Sequence, residues 1–172
     1  MPTNFRLPGP TPLPPAVLEA MQREMIAHRG PEFRGFYGGL LDKAKIAHRT
    51  EGDVLIWPGS GSAGWEIAIV NLFSPGDPVL ATMAGSFGER FANVSRRFGL
   101  DVRTLEIPWG RAITADDLTA ALEQHPDVKA VLIAHNETST GVTNPLPELA
   151  RVARAHDKLI VVDAVSSAGG IP

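Results

Sequence analysis

Strand-like and helix-like segments alternate regularly from residue 53 onward, and this alternation constrains the fold more than any other feature. Short runs rich in Val, Ile and Leu predict strands over residues 54–57, 79–82, 102–107, 130–135 and 159–163. Apolar residues at helical spacing predict helices over residues 63–73, 87–98, 115–124 and 147–156. Repeated β-α units of this length predict an α/β fold, with a mainly parallel sheet and helices on both faces.

The part of the chain before this alternation is different. Residues 7–15 contain too much proline for a helix or a central strand, so we expect an extended arm. Helices are predicted from Pro15 to about His28 and from Phe36 to His48. The predicted domain organisation is therefore an N-terminal arm and helix over residues 1–35, followed by part of a large α/β domain over residues 36–172.

The strand predicted at 159–163 ends in an acidic residue, Asp163. Four consecutive apolar residues without alternation precede it, which is typical of a strand buried on both faces in the middle of a parallel sheet. Ligands of open α/β sheets bind outside the carboxyl ends of the strands, where Asp163 stands. Asp is also common as a cap of tight turns. This segment alone leaves both roles open.

A glycine-rich loop, residues 58–64, lies between a predicted strand and a predicted helix. Glycine allows a close backbone approach to an anion, and the helix N-terminus offers free N–H groups, so we expect phosphate binding. The loop matches G-x-G-x-x-G, but no acid ends the next strand near Thr82, which disfavours a dinucleotide. A Gly-Lys-Ser/Thr sequence is also absent, which disfavours a nucleotide P-loop. The alternative is a glycine-rich turn without a ligand.

Two more loops are expected at the same edge of the sheet. Phe87, between small residues, could lie against a planar ligand, although such a residue is more often part of the core. The polar loop 135–141 offers hydroxyl groups, and its alternative role is a solvated turn. Together with the phosphate-type loop and Asp163, these features favour a phosphorylated planar ligand with a ring nitrogen. Pyridoxal phosphate is such a cofactor, because proteins commonly pair its ring nitrogen with an Asp.

Composition excludes several other functions. The chain has no cysteine, which removes disulfides and cysteine zinc sites, and its five histidines lack metal-ligand spacing, so we expect no metal site. The net charge of −3 arises from interspersed acids and bases, so we expect no nucleic acid partner. We expect no membrane association either, because no segment has the apolar length of a span and the N-terminus lacks a signal core. A cytoplasmic protein is predicted.

Six motifs occur in order along the chain: residues 8–11 (PGPT), 28–34 (HRGPEFR), 59–61 (GSG), 74–77 (SPGD), 137–142 (ETSTGV) and 162–167 (VDAVSS). In these motifs the chain resembles the N-terminal part of class V (fold type I) pyridoxal-phosphate aminotransferases. That group includes the alanine–glyoxylate and serine–glyoxylate transaminases. The resemblance implies amino-group transfer between a small amino acid, alanine or serine, and a 2-oxo acid such as glyoxylate or pyruvate.

The resemblance also implies roles for individual residues. The cofactor-binding residues would be Ser60, Gly61, Ser62, Phe87, Thr138, Asp163 and Val165. Of these, the first three would bind the phosphate, Phe87 and Val165 would pack on the two ring faces, and Asp163 would pair with the ring nitrogen. Gly9 and Thr138 would lie by the substrate. Members of the family are homodimers, so a homodimer is expected, with the segment 28–34 as a candidate contact.

The same resemblance places the family's Schiff-base lysine in a Gly-Ser-Gln-Lys segment beyond Pro172, so no catalytic residue is expected within the chain. Four lysines are present, and none is expected to replace it: two lie on a polar helix face and two precede strands, namely Lys43, Lys45, Lys129 and Lys158. We therefore expect this chain to be inactive alone and to be part of a transaminase. The alternative is a non-catalytic fragment or pairing module that keeps the fold without turnover.

Overall fold

The computed structural model describes residues 7–171. They fall into two compact units, one extending up to Trp57 and the other beginning at Pro58. The division after residue 35 that the sequence suggests stays a prediction. Each unit is described separately below.

The first unit contains two helices, α1 (Pro15–Ala20) and α2 (Pro31–Ala47). The prediction that the first helix continues to about His28 is wrong, and none of the α1 residues is buried, so no packing supports a longer helix. Helix α2 begins five residues before the predicted Phe36. Gly30 is its N-cap and Pro31 its first residue. Proline at this position favours the start of a helix, because its φ angle is already fixed near the helical value.

No strand forms over residues 54–57, although the apolar run predicts one. In this segment Leu55 is 88% exposed and Trp57 is 72% exposed. Apolar, β-branched residues show that a segment could form a strand, but a strand also needs a neighbour with which to exchange hydrogen bonds. Among the described residues, this segment has no such partner.

The second unit carries the predicted alternation. Its strands are β1 (Pro78–Met83), β2 (Asp101–Glu106), β3 (Ala130–Ala134), β4 (Asn136–Glu137), β5 (Val142–Thr143) and β6 (Leu159–Asp163). Its helices are α3 (Gly61–Leu72), α4 (Ser86–Arg97), α5 (Ala115–Gln124) and α6 (Leu146–Ala155). Strands β4 and β5 form a small antiparallel pair that the sequence reading did not include, because two-residue strands carry no recognisable periodicity.

The four longer strands form a parallel sheet in the order β2-β1-β3-β6. Register pairs Ala134 at the end of β3 with Asp163 at the end of β6. Likewise Met83 pairs with Glu106 at the ends of β1 and β2. The carboxyl ends of the strands therefore share one edge, which we call the C-terminal rim.

Helices cover both faces of this sheet, as predicted. On one face, side chains of α5 and α6, among them Leu118 and Leu149, pack with Leu80 and Val131. On the other face, α3 and α4 supply Trp65, Ile69 and Phe91, which pack with Val79, Ala81 and Leu132. Alternate residues of β1 and β3 thus enter opposite clusters, which explains why both strands are mostly apolar.

The expectation that the strand ending in Asp163 is the buried centre of the sheet is wrong for the described residues. Strand β6 is last in the strand order, its residues 160–163 are half-buried, and Leu159 is 48% exposed. All five residues of β3 are buried, so β1 and β3 are the central strands. An apolar run shows what a strand is able to bury, whereas its place in the sheet depends on pairings between distant segments.

Candidate functional site

Four loops meet at the C-terminal rim: the glycine-rich loop before α3, the loop between β1 and α4, the loop after β6 and the polar loop after β3. A cavity of about 200 Å³ lies where the first and third approach each other. Its lining includes Gly61, Gly64, Trp65, Asp163 and Val165. Segments about 100 residues apart in sequence thus contribute to one concave surface.

Helix α3 begins at the glycine-rich loop, and Ser60 is its N-cap. The Ser60 hydroxyl oxygen accepts a hydrogen bond from the Ala63 backbone N–H at 3.4 Å. Ser60 is exposed and Ser62 is half-buried, so the first turn of this twelve-residue helix is accessible. A helix N-terminus of this kind favours an anion, because its N–H groups lack partners within the helix.

Gly61 and Val165, both predicted cofactor residues, are in close contact. A Cβ atom added to Gly61 would lie 2.9 Å from Val165 Cγ2, which is closer than such atoms approach in proteins. A side chain at position 61 would therefore displace the Val165 side chain, so glycine allows the loop after β6 to approach this closely. Val165 itself is 72% exposed, so its side chain presents an apolar surface at the mouth of the cavity.

Both carboxylate oxygens of Asp163 accept hydrogen bonds from the protein. Oδ1 accepts from the Val165 backbone N–H at 2.9 Å, which is a turn cap. Oδ2 accepts from the indole N–H of Trp65 at 3.1 Å. Asp163 also lines the cavity, so it caps the turn, and its role beside a ligand stays a prediction.

Trp65 was not singled out for any chemistry by the sequence. Its ring stacks on Phe91 at a centroid distance of 5.4 Å and meets the edge of Phe87 at 6.5 Å. The Arg90 guanidinium lies 5.9 Å from the Trp65 ring centroid and 5.6 Å from that of Phe87. Phe87 is half-buried, so it belongs partly to the core cluster and partly to the rim.

Glu137 is a second residue that the sequence reading missed, and only 1% of it is exposed. Its carboxylate accepts hydrogen bonds from the backbone N–H groups of Phe87 and Gly88 at 3.1 Å. It also accepts from the Ser139 hydroxyl at 2.6 Å. Helix α4 has no side-chain cap from its own N-cap residue, Gly85, so Glu137 satisfies the free N–H groups in its place.

The polar loop after β3 connects to the loop after β6. The hydroxyl group of Thr138, a predicted cofactor and substrate residue, donates to Ser166 Oγ at 3.0 Å. Ser166 in turn donates to the backbone oxygen of Asn136, also at 3.0 Å. Thr138 is half-buried, and its hydroxyl keeps acceptor capacity for a ligand. Burial lowers the pKa of His135, the first residue of this loop, which favours the neutral imidazole.

Two lysines of the second unit lie at the opposite edge of the sheet from the cavity, as the sequence predicts. Lys129 precedes β3, and its Nζ donates to Asp77 Oδ1 at 2.6 Å. This hydrogen bond is the main cause that holds the pKa of Asp77 below its usual value. Lys158 precedes β6, and its Nζ donates to the Pro126 carbonyl oxygen at 2.7 Å. Lys43 and Lys45 lie on α2 in the first unit.

Three further expectations concern groups outside this cavity. Gly9 lies in the first unit, and its role beside a substrate stays a prediction. Within residues 7–171, no cluster of three or more His, Asp or Glu side chains is arranged to hold a metal ion. No helix in the same part of the chain has the length and apolar character needed to span a membrane.

The fold and the rim together define a class of protein, the α/β proteins with an open parallel sheet. Proteins of this class bind ligands at the carboxyl ends of the strands, where the cavity lies. Within that class, the chain belongs to the aminotransferase class-V family, whose model matches residues 4–172. The family resemblance and the α/β fold predicted from sequence are thereby confirmed.

Individual relatives agree with this membership. The chain is 36% identical over 171 residues to a serine–glyoxylate aminotransferase of Methylorubrum extorquens, covering 96% of the chain and 42% of that protein. A crystal structure of alanine–glyoxylate aminotransferase from Nostoc sp. superposes with a TM-score of 0.92 at 34% identity, covering all of this chain and 47% of that one.

A more distant solved structure contains pyridoxal phosphate. It is a C-DES mutant with glycine covalently linked to the cofactor, and it matches with a TM-score of 0.52 at 26% identity. The match covers 64% of this chain and 31% of that one. The chain spans less than half the length of the curated relatives that it matches.

Proposed function

We propose that this chain forms the phosphate-binding and ring-binding part of a pyridoxal phosphate site in an aminotransferase. The complete enzyme would transfer an amino group between a small amino acid, alanine or serine, and a 2-oxo acid such as glyoxylate or pyruvate. The observation that carries this proposal is that Gly61, at the N-terminus of α3, and Asp163 line the same cavity. The names of the relatives support the choice of substrates.

The residues around the cavity fit the cofactor in their chemistry. Ser60, Gly61 and Ser62 would hold the phosphate, since hydroxyl groups and free helix N–H groups are donors for an anion. Asp163 would pair with the ring nitrogen and keep it protonated. Val165 and Phe87 offer apolar surface for the ring. When bound, pyridoxal phosphate supplies an electron sink for the bond changes at the substrate's α-carbon.

The substrate side of the site rests on fewer contacts. We assign Thr138 to hydrogen bonding near the ring hydroxyl or the substrate carboxylate, because its hydroxyl is hydrogen-bonded to Ser166 in the loop after β6. Gly9 is assigned to the same region from its family motif. Residues 1–35 would form the arm and residues 36–172 part of the large domain.

We also propose a cytoplasmic homodimer, as the family resemblance implies. Helix α2 of the first unit presents apolar side chains to solvent, with Phe36 60% exposed and Ile46 77% exposed. Clustered exposed apolar residues are typical of surfaces that pack against another chain. The segment 28–34, which includes the first turn of this helix, is the candidate contact.

A second candidate is a non-catalytic module that keeps the fold and pairs with other chains. The lysine positions favour it for this chain alone, because Lys129 and Lys158 lie at the edge away from the cavity. The reading frame beyond Pro172 separates the two candidates. An aminotransferase requires a lysine that reaches the cofactor, so a gene without a Gly-Ser-Gln-Lys-like segment after Pro172 would contradict the enzyme proposal.

Substitution Asp163→Asn tests the cofactor assignment in the longest protein that the gene encodes. We expect pyridoxal phosphate to bind about tenfold more weakly or worse, because the ring nitrogen loses a charge-assisted partner. Affinity is measured by titration of the cofactor's near-ultraviolet to visible absorbance. Asp157→Asn is the matched control, since Asp157 is exposed and precedes β6 at its other end. Unchanged affinity in Asp163→Asn would contradict the assignment.

A further inference from the structure

We propose that Trp65 is a positioning residue for Asp163, whose indole N–H holds the carboxylate in the orientation that meets the cofactor's ring nitrogen. The inference rests on the proposed function, because it assigns a purpose to a contact within that site. The contact itself is the hydrogen bond from Trp65 Nε1 to Asp163 Oδ2 at 3.1 Å, across 98 residues of sequence.

Trp65 is itself firmly held. Only 5% of the residue is exposed, and its ring is stacked nearly parallel to Phe91, at an interplanar angle of 12°. The edge of Phe87 and the Arg90 guanidinium pack on it from the rim side. A donor fixed by packing in this way can impose an orientation on its acceptor, whereas a mobile donor would follow it.

Asp163 needs such a second constraint. The terminal torsion of an Asp side chain is broad, so the backbone N–H of Val165, which binds Oδ1, fixes only one oxygen. The indole N–H fixes the other oxygen and with it the plane of the carboxylate. An ionised carboxylate has about four acceptor positions, so the two protein donors leave capacity for a ring N–H.

The position of Trp65 along α3 adds a second consequence. Trp65 follows Ser60 and Ser62 by about one helical turn, so the same helix carries the phosphate-binding end and the donor to Asp163. The same helix would therefore position both the phosphate group, through its N-terminus, and the ring nitrogen, through Asp163. A buried indole N–H needs a hydrogen-bond partner, and Asp163 is that partner. The hydrogen bond therefore also fixes the position of this helix relative to β6.

The indole resonances of the protein test the contact without any cofactor. The chain has three tryptophans, and both others are largely exposed, Trp57 by 72% and Trp109 by 59%. In ¹H–¹⁵N spectra of the apoprotein, we expect Asp163→Asn to shift the Trp65 Nε1–H resonance and to leave those of the two exposed tryptophans in place. The resonance is assigned by its loss in Trp65→Phe. A Trp65 resonance that does not respond to Asp163→Asn would overturn the inference.

Cofactor affinity tests the purpose of the contact. Trp65→Phe keeps an aromatic ring against Phe91 and removes the indole N–H donor. We expect this variant to bind pyridoxal phosphate about tenfold more weakly, a loss typical of a hydrogen bond to a charged group. The same substitution in an Asp163→Asn background should cost no further affinity. Trp109→Phe serves as the control and should bind the cofactor as the parent protein does.

Each outcome separates the inference from the proposed function. Equal losses from Trp65→Phe in both backgrounds would show a purely structural role and overturn the inference, as would an unchanged affinity in a parent protein that binds the cofactor. A parent protein that does not bind pyridoxal phosphate would overturn the proposed function instead. Thermal unfolding of each variant verifies that the protein compared is folded.

Discussion

At the scale of single residues, position 85 shows how closely two loops of the rim approach each other. A Cβ atom added to Gly85 would lie 2.5 Å from Glu137 Cγ and 2.7 Å from Ser139 Oγ. The backbone of Gly85 is extended, so the requirement for glycine there comes from space and not from its φ angle. Glu137 cannot move away easily, because its carboxylate is hydrogen-bonded to the start of α4.

Substitution Gly85→Ala is expected to lower the free energy of unfolding by roughly 1–3 kcal/mol, the usual cost of adding a methyl group to a closely packed site. Chemical denaturation measures it. Gly39→Ala is the control, because position 39 lies within α2 and a Cβ there would meet nothing within 4 Å. That control should be neutral or slightly stabilising, since Ala favours a helix more than Gly does. Equal stability of Gly85→Ala and the parent protein would contradict the close contact.

Individual residues also show where sequence reasoning stops. Asp163 and the glycine-rich loop that contains Gly61 were singled out because each lies next to a strand or helix, and parallel strands bring such loops to one edge. Val165 was named only through the family resemblance. Trp65 and Glu137 were missed because their partners are about 100 and 50 residues away along the chain. A buried Glu gives no local signal, although an unpaired charge in a loop of hydroxyl residues could have suggested a helix N-terminus nearby.

At the scale of elements, α5 has the best-defined N-terminus of the chain. Thr114 and Asp117 form a capping box, in which the Thr114 hydroxyl accepts from the Asp117 N–H and the Asp117 carboxylate accepts from the Thr114 N–H. Arg111 adds two hydrogen bonds to the same carboxylate, at 2.9 and 3.1 Å. The Arg111 guanidinium is the largest cause that lowers the pKa of Asp117 to about 2.

The low pKa of Asp117 predicts a pH-dependent contribution to stability. Because the folded pKa lies below the ordinary value of 3.8, the ionised carboxylate stabilises the folded state above about pH 4, and this contribution disappears as the pH falls through about 2. Asp117→Asn should therefore lose about 0.5–2 kcal/mol at pH 7, the range of a lost cap, and approach the stability of the parent protein as the pH falls below about 2. Unfolding free energies across this pH range measure the difference.

Asp116→Asn is the matched control for this cap. It removes a charge of the same sign from the same first turn of α5 without breaking the capping box. A smaller loss at pH 7 is expected from it. If Asp117→Asn lost the same free energy at pH 7 and at pH 2, the carboxylate would not be the stabilising species.

Most elements of the second unit followed from the sequence because periodicity, turn residues and length agreed. The predictions of a strand at 54–57 and of a first helix reaching His28 were wrong for a common reason. Neither segment buries an apolar face among the described residues, and propensity alone did not suffice. The place of β6 could not be read either, because strand order depends on which segments pair and not on their composition.

At the scale of the whole molecule, the cavity and two of the lysine ammonium groups lie at opposite ends of the strands. The cavity with Asp163 lies at the C-terminal rim, and the ammonium groups of Lys129 and Lys158 are tied to Asp77 and Pro126 at the other edge. The length of the strands thus lies between these amines and a cofactor bound in the cavity.

This separation predicts the result of borohydride reduction in the presence of pyridoxal phosphate. We expect no stoichiometric attachment of the cofactor to Lys129 or Lys158, because neither side chain reaches the cavity. Peptide mapping by mass spectrometry measures the attachment at each lysine, and a fully exposed amine on an unrelated protein gives the background level. A stoichiometric adduct at Lys158 would show that the assigned cavity is not the binding site.

The hydrogen bond between Trp65 and Asp163 has a consequence for how the protein is made. Its two ends are 98 residues apart, so the glycine-rich loop and α3 leave the ribosome long before the acid that completes the cavity. Closing a loop of that length carries an entropic cost that is repaid only after β1, β3 and β6 have paired. Cofactor capture would therefore mark a late stage of folding, and a nascent chain halted before residue 163 would not retain it.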